Sequence, residues 1–493
     1  MAQKRDFQFS KSRLMSAAQC AKRLYLETHR RELLDFSEDT ERRFAVGHAV
    51  GEAARGLHPG GRLIGPDDDP ADALRQTQAA LGEPGNLTLF EATFRHGSVL
   101  VRSDILSRRG QGFHLAEVKA ASSLKPHFIH DVAIQSWVVQ GSGVPLKTAQ
   151  LWHVDSSFVY GGDGDYRGLF VREDVTEQVE PLIEGLPVFV AECRKVLAGA
   201  EPQIAVGPQC TEPYECPFLS HCAPAESAYP VSILPYGGKL AKQLAAQGYA
   251  DLREVPEALM TKPDHLRVWR ASRSGQPELD PEAVRELGAL GYPRYYLDFE
   301  TTQFAVPIWK GTRPYEHLPF QWSCHIERAD GRLAHKAFLD TSGEAPMRAF
   351  ADSLIAALGT QGPVLVYSSF EAQVLRGLIA RFPALDVPLT KILRRLVDLL
   401  PIARSYYYHP QMKGRWSIKS VLPTIAPELA YDTLGEVQDG MAAQDAYREM
   451  IHPETAEERR AKLKADLKSY CERDTLGLVE VARFLGARRK AEG

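Results

Sequence analysis

Apolar residues recur at every second position in NLTLFEATFRHGSVLVRSDIL, residues 86–106, and again in FHLAEVKA, 113–120. This pattern predicts two alternating strands and then a third. Side chains two apart on a strand share a face, so Glu117 and Lys119 point the same way, and Asp104 closes the second strand, which follows one carrying Glu91. Upstream, FSKSRLMSAAQCAKRLY, 9–25, opens on a Ser cap and keeps helical spacing, predicting one helix that contains Cys20. TERRFAVGHAVGEAARG, 40–56, predicts a second, with His48 near its middle between Gly47 and Gly51. GRLIG reads as a short strand, PDDDP at 66–70 as an acidic turn and ADALRQTQAAL as a helix. PHFIHDVAIQSWVVQ, 126–140, reads as a helix behind the strands with Gln135 on one face, and TEQVEPLIEGLPVFVAECRKVLAG, 176–199, as one long helix.

Further on, ILPYGGKLAKQLAAQGYADLREVPEALMT and DPEAVRELGALGYP give short helices closed by Gly and Pro, a helical linker with a weak helix-hairpin-helix rhythm. YPRYYLDFETT, 292–302, is an apolar strand in which Asp298 and Glu300 share a face. Two carboxylates inside an apolar run are costly unless something positive neutralises them, and a metal ion is the natural answer. FQWSCHIERADGRLAHKAFLD, 320–340, predicts a hairpin with an Asp-Gly turn, and APMRAFADSLIAALG a helix. GPVLVYSSFEAQVLRGLIARFP, 362–383, reads as a buried strand running into a helix that begins near Phe370 and Glu371. The closing helix, LKSYCERDTLGLVEVARFLGARR, sets Tyr470 and Asp474 four apart on one face.

With 493 residues, 44% of them hydrophobic, the chain can bury more than one core and is expected to form about two to four domains. The patterns divide it at 1–225, 226–290 and 291–493. No apolar stretch long enough for a membrane span occurs and MAQKRDFQFSKSRL holds no apolar signal core, so the expected location is the cytoplasm, away from membranes. Fifty-nine Lys and Arg against 63 Asp and Glu leave a net charge of -4, which gives no global footprint for nucleic acid. Binding would have to use local patches. Seven cysteines, unevenly spaced, favour thiols or metal ligands over disulfides.

Candidate chemistry follows from these elements. An Asp and a Glu converging from neighbouring strands can hold one divalent cation, and a nearby lysine can orient or deprotonate a water. The alternative at Asp104, Glu117 and Lys119 is a hairpin with a solvated Glu/Lys pair. In QCTEPYECPFLSHC, Cys210, Cys216 and Cys222 are separated by five residues, unlike the close pairs of most zinc sites. They need a fourth ligand, for which Cys20 is the candidate; zinc or buried thiols remain alternatives. Cys193, Cys324 and Cys471 read as core. In SYYYHPQMKGRWSIKS, Tyr406, Tyr407, Tyr408 and Trp416 interleave with Lys413, Arg415 and Lys419. That is either a stacking and phosphate surface for single-stranded nucleic acid or an aromatic loop packed on its own domain.

The order helix, helix, strands with Asp, strand with Glu-x-Lys and helix with Gln resembles the PD-(D/E)XK nuclease fold of the RecB type across most of residues 9–225. The resemblance implies a Mg or Mn site at His48, Asp104 and Glu117, with Lys119 aiding the water and Gln135 beside it. Val139 stands where the family has a Tyr after the Gln. One early and three late cysteines look like the iron-sulfur staple of CRISPR-associated RecB-like and AddB-type nucleases, which implies a 4Fe-4S cluster on Cys20, Cys210, Cys216 and Cys222.

The last domain resembles the DnaQ-like 3′-5′ exonucleases, with an RNase H-like sheet and a tyrosine-type third motif. This implies two divalent ions on Asp298, Glu300, Glu371 and Asp474, with Tyr470 positioning the attacking water and Asp398 nearby. Glu371 replaces the usual Asp, and Ser368 or Ser369 the usual Asn. Together the halves resemble a bacterial two-module family. The implied activity is hydrolysis of single-stranded or free-ended DNA at two sites, in repair, recombination or defence, with a helicase or repair protein as partner. The rival readings are a nucleic-acid-binding scaffold with decayed sites and an iron-sulfur redox sensor.

Overall fold

The computed structural model describes residues 8–35, 38–65, 69–110, 112–223 and 227–487. Of the acidic turn at 66–70, residues 66–68 lie outside the described residues, as do part of the segment MAQKRDFQFSKSRL and the 225/226 boundary. The chain is mixed α/β and divides into two compact units, one of Met1–Pro224 with Phe304–Tyr315 and one of Ala225–Gln303 with Glu316–Gly493. Residues 226–290 therefore cluster with the second unit. No helix among the described residues is long and apolar enough to cross a membrane.

The first unit begins with β1 (Phe9–Ser10), α1 (Lys11–Gln19), α2 (Ala21–His29) and α3 (Glu38–Gly56). β2 (Arg62–Leu63), α4 (Pro70–Leu81), β3 (Leu87–His96), β4 (Val99–Arg109) and β5 (Gly112–Lys119) follow. Then come α5 (Pro126–Gly141), β6 (Leu146–Val154), β7 (Phe170–Asp174), α6 (Thr176–Ile183), α7 (Leu186–Ala198) and α8 (Leu219–Cys222). The sheet runs β2-β3-β4-β5-β6-β7, with β1 also pairing β4. β3, β4 and β5 are antiparallel neighbours; β6 lies parallel to β5 because α5 carries the chain back across the sheet.

The expected single helix over 9–25 is two helices. Phe9 and Ser10 pair with Val99 and Leu100, and Cys20 adopts extended backbone (φ -161°, ψ 123°) between α1 and α2. The expected helix over 176–199 is also divided: Pro181 lies in α6, Glu184 and Gly185 separate it from α7, and Pro187 sits in the first turn of α7, where its missing N–H costs no helical hydrogen bond.

Each face of the sheet has its own core. Leu14, Leu115, Val132 and Val190 lie in one cluster; Val50, Ala54, Phe90, Ile105 and Trp152 lie in the other. Ala305 joins the second cluster, so residues 304–315, although they interrupt the second unit in sequence, complete the first unit's core. Tyr160 and this segment exchange backbone hydrogen bonds, from Gly311 N to Tyr160 O (2.8 Å) and from Tyr160 N to Thr312 O (3.0 Å).

The second unit contains α9 (Gly238–Ala246), α10 (Pro263–Ser274), β8 (Glu278–Leu279), α11 (Glu282–Gly288), β9 (Arg294–Thr302), β10 (Leu318–Glu327), β11 (Leu333–Leu339) and α12 (Met347–Ala357). β12 (Val364–Val366), α13 (Phe370–Arg381), α14 (Asp386–Leu393), β13 (Leu396–Asp398), α15 (Leu399–Tyr406) and β14 (Tyr407–Tyr408) follow. α16 (Ile418–Val421), α17 (Gly440–Ile451) and α18 (Glu457–Leu485) complete it. The sheet order is β11-β10-β9-β12-β13, with β9, β10 and β11 antiparallel and β12 and β13 parallel to β9. α18 packs across β9 and β10. β9 is apolar on both faces, with Tyr296, Leu297 and Phe299 buried, as a central strand covered on both sides requires.

A separate ribbon pairs β14 with β8 and anchors residues 407–416 against the segment after 226. Gly414 has φ 73°, and a Cβ there would lie 1.7 Å from the Ile233 carbonyl oxygen. Gly414→Ala is expected to cost about 2 kcal/mol or more, since both the left-handed backbone and the close approach exclude a side chain. Gly377→Ala, on α13 with nothing within 4 Å of the new Cβ, is the control and should leave thermal unfolding unchanged or raise its midpoint.

Candidate functional site

In the first unit, β4 and β5 supply Asp104, Glu117 and Lys119, and α5 supplies Gln135. Val118 N donates to Asp104 Oδ2 at 2.7 Å, fixing that carboxylate to the neighbouring strand. Lys119 Nζ donates to Glu117 Oε1 (2.6 Å) and to Asp131 Oδ2 (2.5 Å). Gln135 Nε2 bridges the same two acids, at 2.5 Å from Glu117 Oε2 and 3.0 Å from Asp131 Oδ1. Lys11 Nζ is 2.8 Å from Glu117 Oε1 and 3.0 Å from Asp131 Oδ1. The site is therefore two buried acids, Glu117 and Asp131, and a half-buried one, Asp104, with two ammonium groups.

His48, on α3, is 71% exposed and lies 3.3 Å from Glu52. It lines an open cleft of about 160 Å³ together with Glu91, Asp104 and Glu117. Val139, which stands where a Tyr would follow Gln135, is wholly buried in the apolar cluster.

Burial and the neighbouring Glu117 push Asp104 well above the usual carboxylate range, against the pull of Lys11 and Lys119. Burial opposes the charge on Lys119, but Asp131, Glu117 and Asp104 outweigh it and raise its pKa well above the usual lysine value. Burial likewise opposes ionisation of Asp131, and the two lysines reverse that and hold it low. Lys119 is thus a charged donor in this arrangement, suited to orienting a water or phosphate oxygen rather than to removing a proton.

Two members of the site went unnoticed in the sequence. Asp131 sits one turn before Gln135 on α5, a spacing that places both on one face and is a usable signal. Lys11 lies 106 residues from Glu117 and carries no local signal.

Cys20, Cys210, Cys216 and Cys222 line one pocket. The backbone break at Cys20 brings the first of them there, and Gln19 Nε2 ties the end of α1 to the carbonyls of Gln209 and Tyr214, both at 2.7 Å. Burial pushes the thiols of Cys216 and Cys222 upward, with Lys22 opposing this at Cys222. Cys193 and Cys324 are buried core thiols, raised by burial to about 11 and about 12.

In the second unit, four acids come from three elements: Asp298 and Glu300 from β9, Glu371 from the first turn of α13, and Asp474 from α18. Glu300, Glu371 and Asp474 are each less than a tenth exposed. Among the described residues no Lys or Arg forms an ion pair with any of the four. Cys471 is buried, as its sequence context predicts; its Sγ also lies 3.5 Å from Asp298 Oδ2, and Asp298, Glu300 and Cys471 present ligand atoms all within 4.8 Å of one another.

Burial, then the neighbouring acids, push Asp298 and Glu300 well above the usual range; for Asp298 these are Asp474, Glu300 and Glu371, and Lys419 partly offsets them at Glu300. Burial pushes Glu371 up to about 8 and Asp474 up to about 6, the latter moderated by the hydroxyls of Tyr431 and Tyr470. Tyr431, a residue without any sequence signal, donates its hydroxyl to Asp474 Oδ1. Asp398 caps α15, accepting from Leu400 N at 2.9 Å.

The aromatic segment packs inward. Tyr407, Tyr408 and Trp416 are buried, and Trp416 Nε1 donates to Tyr407 O at 2.7 Å, so their ring faces cannot stack on bases. Lys413 donates to Ala228 O at 2.5 Å over the Tyr229 ring, and Arg415 is exposed. Lys419 donates to Gln438 O at 2.7 Å and lies over the rings of Tyr431 and Tyr470, 5.3 Å and 5.7 Å from their centroids. A stacking surface on Trp416 is thus replaced by a structural ribbon, while Lys419 stands at the acidic cluster.

The profile of a family described as a domain of unknown function (DUF2779) matches residues 295–417, which include Asp298, Glu300 and Glu371 but not Asp474. No curated protein matches the chain.

A raised carboxylate pKa makes the folded state hold its proton longer than the unfolded chain, so stability falls as pH rises from the ordinary value of 4.5 through about 8 at Glu371. Denaturant unfolding with chelator present should show Glu371→Gln more stable than the parent at pH near 8, with the difference vanishing at pH near 4.5. Equal stability across that window would count against a proton held at Glu371.

Proposed function

We propose that this chain is a metal-dependent nuclease with two hydrolytic sites. The observation that carries the reading is the second unit's cluster of four acids, from three separate elements, with no ion-pair partner among the described residues. Carboxylates gathered so closely in an apolar setting must bind protons or cations, and oxygen-rich clusters suit Mg or Mn. Bound divalent ions would supply Lewis acidity and an activated water for attack on a phosphodiester.

The chain's own groups support specific roles. Asp298, Glu300, Glu371 and Asp474 would hold the ions; Tyr431 orients Asp474 through its hydroxyl. Tyr470, one turn before Asp474 on α18 and buried beside the acids, would position the water. In the first unit Asp104 and Glu117 would be ligands, with His48 at the rim of the same cleft. Lys119 would orient the water or phosphate oxygen. Antiparallel β3-β4-β5 joined through α5 to parallel β6 supports a PD-(D/E)XK-like fold, and the β11-β10-β9-β12-β13 order with α18 across β9 supports an RNase H-like one.

The cysteine pocket fits a 4Fe-4S cluster. Cys20, Cys210, Cys216 and Cys222 line it together, and an all-thiolate set of four supports such a cluster there. DNA with single strands or free ends is the proposed substrate, in end processing for repair, recombination or defence.

The test is a nuclease assay of anaerobically purified protein on end-labelled single-stranded, duplex and 3′-overhang DNA with Mn or Mg, for the parent, Lys119→Ala and Asp298→Ala. Each variant is expected to lose one product pattern by about a hundredfold or more. No cleavage by cluster-loaded parent would overturn the reading. Cys20→Ser and Cys222→Ser should each lose iron content and visible absorbance relative to the parent; retention of both would exclude these ligands.

A further inference from the structure

We propose that Lys11 is a resident counter-cation of the first carboxylate site, which a divalent ion must displace to take Glu117 Oε1 as a ligand. The inference rests on reading Asp104 and Glu117 as metal ligands. Lys11 stands where β1 meets α1. Pairing of Phe9 and Ser10 with β4, the strand that carries Asp104, and the Ser10 cap on Arg13 N fix its backbone.

From there its side chain, 24% exposed, reaches the acids. Glu117 Oε1 accepts from both Lys11 (2.8 Å) and Lys119 (2.6 Å), while Oε2 accepts from Gln135 (2.5 Å). A carboxylate offers about four acceptor directions, and three of Glu117's are filled by donors. Both directions at Oε1 are taken by the two ammonium groups, so a metal ion can ligate that oxygen only by replacing one of them, whereas Oε2 keeps one direction open. Gln135 is wholly buried and also held by Asp131, and Lys119 has the shorter bonds to both acids. Lys11, with the longer pair of bonds at 2.8 Å and 3.0 Å, is the donor that can leave. Among the described residues the second unit's acids form no ion pair, Lys419 acting on Glu300 from farther away, so the competing ammonium group in direct contact is a feature of the first site.

The competition fixes the sign of the expected effect. In an Asp298→Ala background, which removes the second site, Mn binding is measured by calorimetry for Lys11 intact, Lys11→Met, Lys11→Arg and Glu117→Gln. Removing one positive charge a few ångströms from the ion should tighten Mn binding about tenfold or more in Lys11→Met. Lys11→Arg should restore the original affinity, and Glu117→Gln should abolish binding. A merely structural lysine would give the opposite sign, because loosening the acids weakens coordination.

Unchanged or weaker binding in Lys11→Met, with binding still lost in Glu117→Gln, overturns this inference alone. Binding undisturbed by Glu117→Gln overturns the metal-site reading and this inference with it. If Lys11→Met does not fold, Lys11→Gln, which keeps one donor but no charge, is read in the same way.

Discussion

Carboxylates placed within apolar sheets must be neutralised, and that requirement organises both units. An unpaired buried charge costs more than nearly any packing contact can return, so each acid recruits a proton, a cation or a hydrogen-bond donor. The two units meet the demand differently. In the first, Lys11, Lys119 and Gln135 surround Glu117 and Asp131 with donors. In the second, among the described residues, Asp298, Glu300, Glu371 and Asp474 meet tyrosine and serine hydroxyls, a cysteine thiol and the more distant Lys419, and burial raises their pKa values. One site rests as a closed salt-bridge network and the other as a group of acids with unmet charge.

This contrast explains the architecture around each. The first site needs contributions from α1, β4, β5 and α5, so the pairing of β1 with β4 must bring the start of the chain beside residues 104–135. The second needs β9, α13 and α18, and β9 can be apolar on both faces because helices cover the sheet while its acids lie against α18. Neither constellation could survive a register slip of one residue, which would turn Glu117 or Glu300 to the opposite face.

Much of this was legible in the sequence where periodicity was strong. The alternation in 86–106 and 113–120 placed Glu117 and Lys119 on one face, and the four-residue spacing of Tyr470 and Asp474 placed them on one side of α18. What escaped was set by contacts between distant segments. Cys20 reads as mid-helix because helical spacing runs through it without Gly or Pro, yet the chain breaks there, with Gln19 bonded to carbonyls nearly two hundred residues away. Lys11 looks like an ordinary polar residue behind a cap until β1 pairs with β4. Tyr431 lies among short turns without periodicity, and Trp416 carries the composition of a binding surface while its indole N–H serves its own ribbon.

The segment 304–315 has a consequence for how the chain can be taken apart. It leaves β9, contributes Ala305 to the first unit's core and returns as β10. No single cut therefore yields two intact pieces: an N-terminal fragment would expose the apolar surface that Ala305 covers, and a C-terminal fragment would carry a loop whose partners are missing. The two units are interleaved along the chain, so a separable piece of the first would have to carry residues 304–315 as a graft.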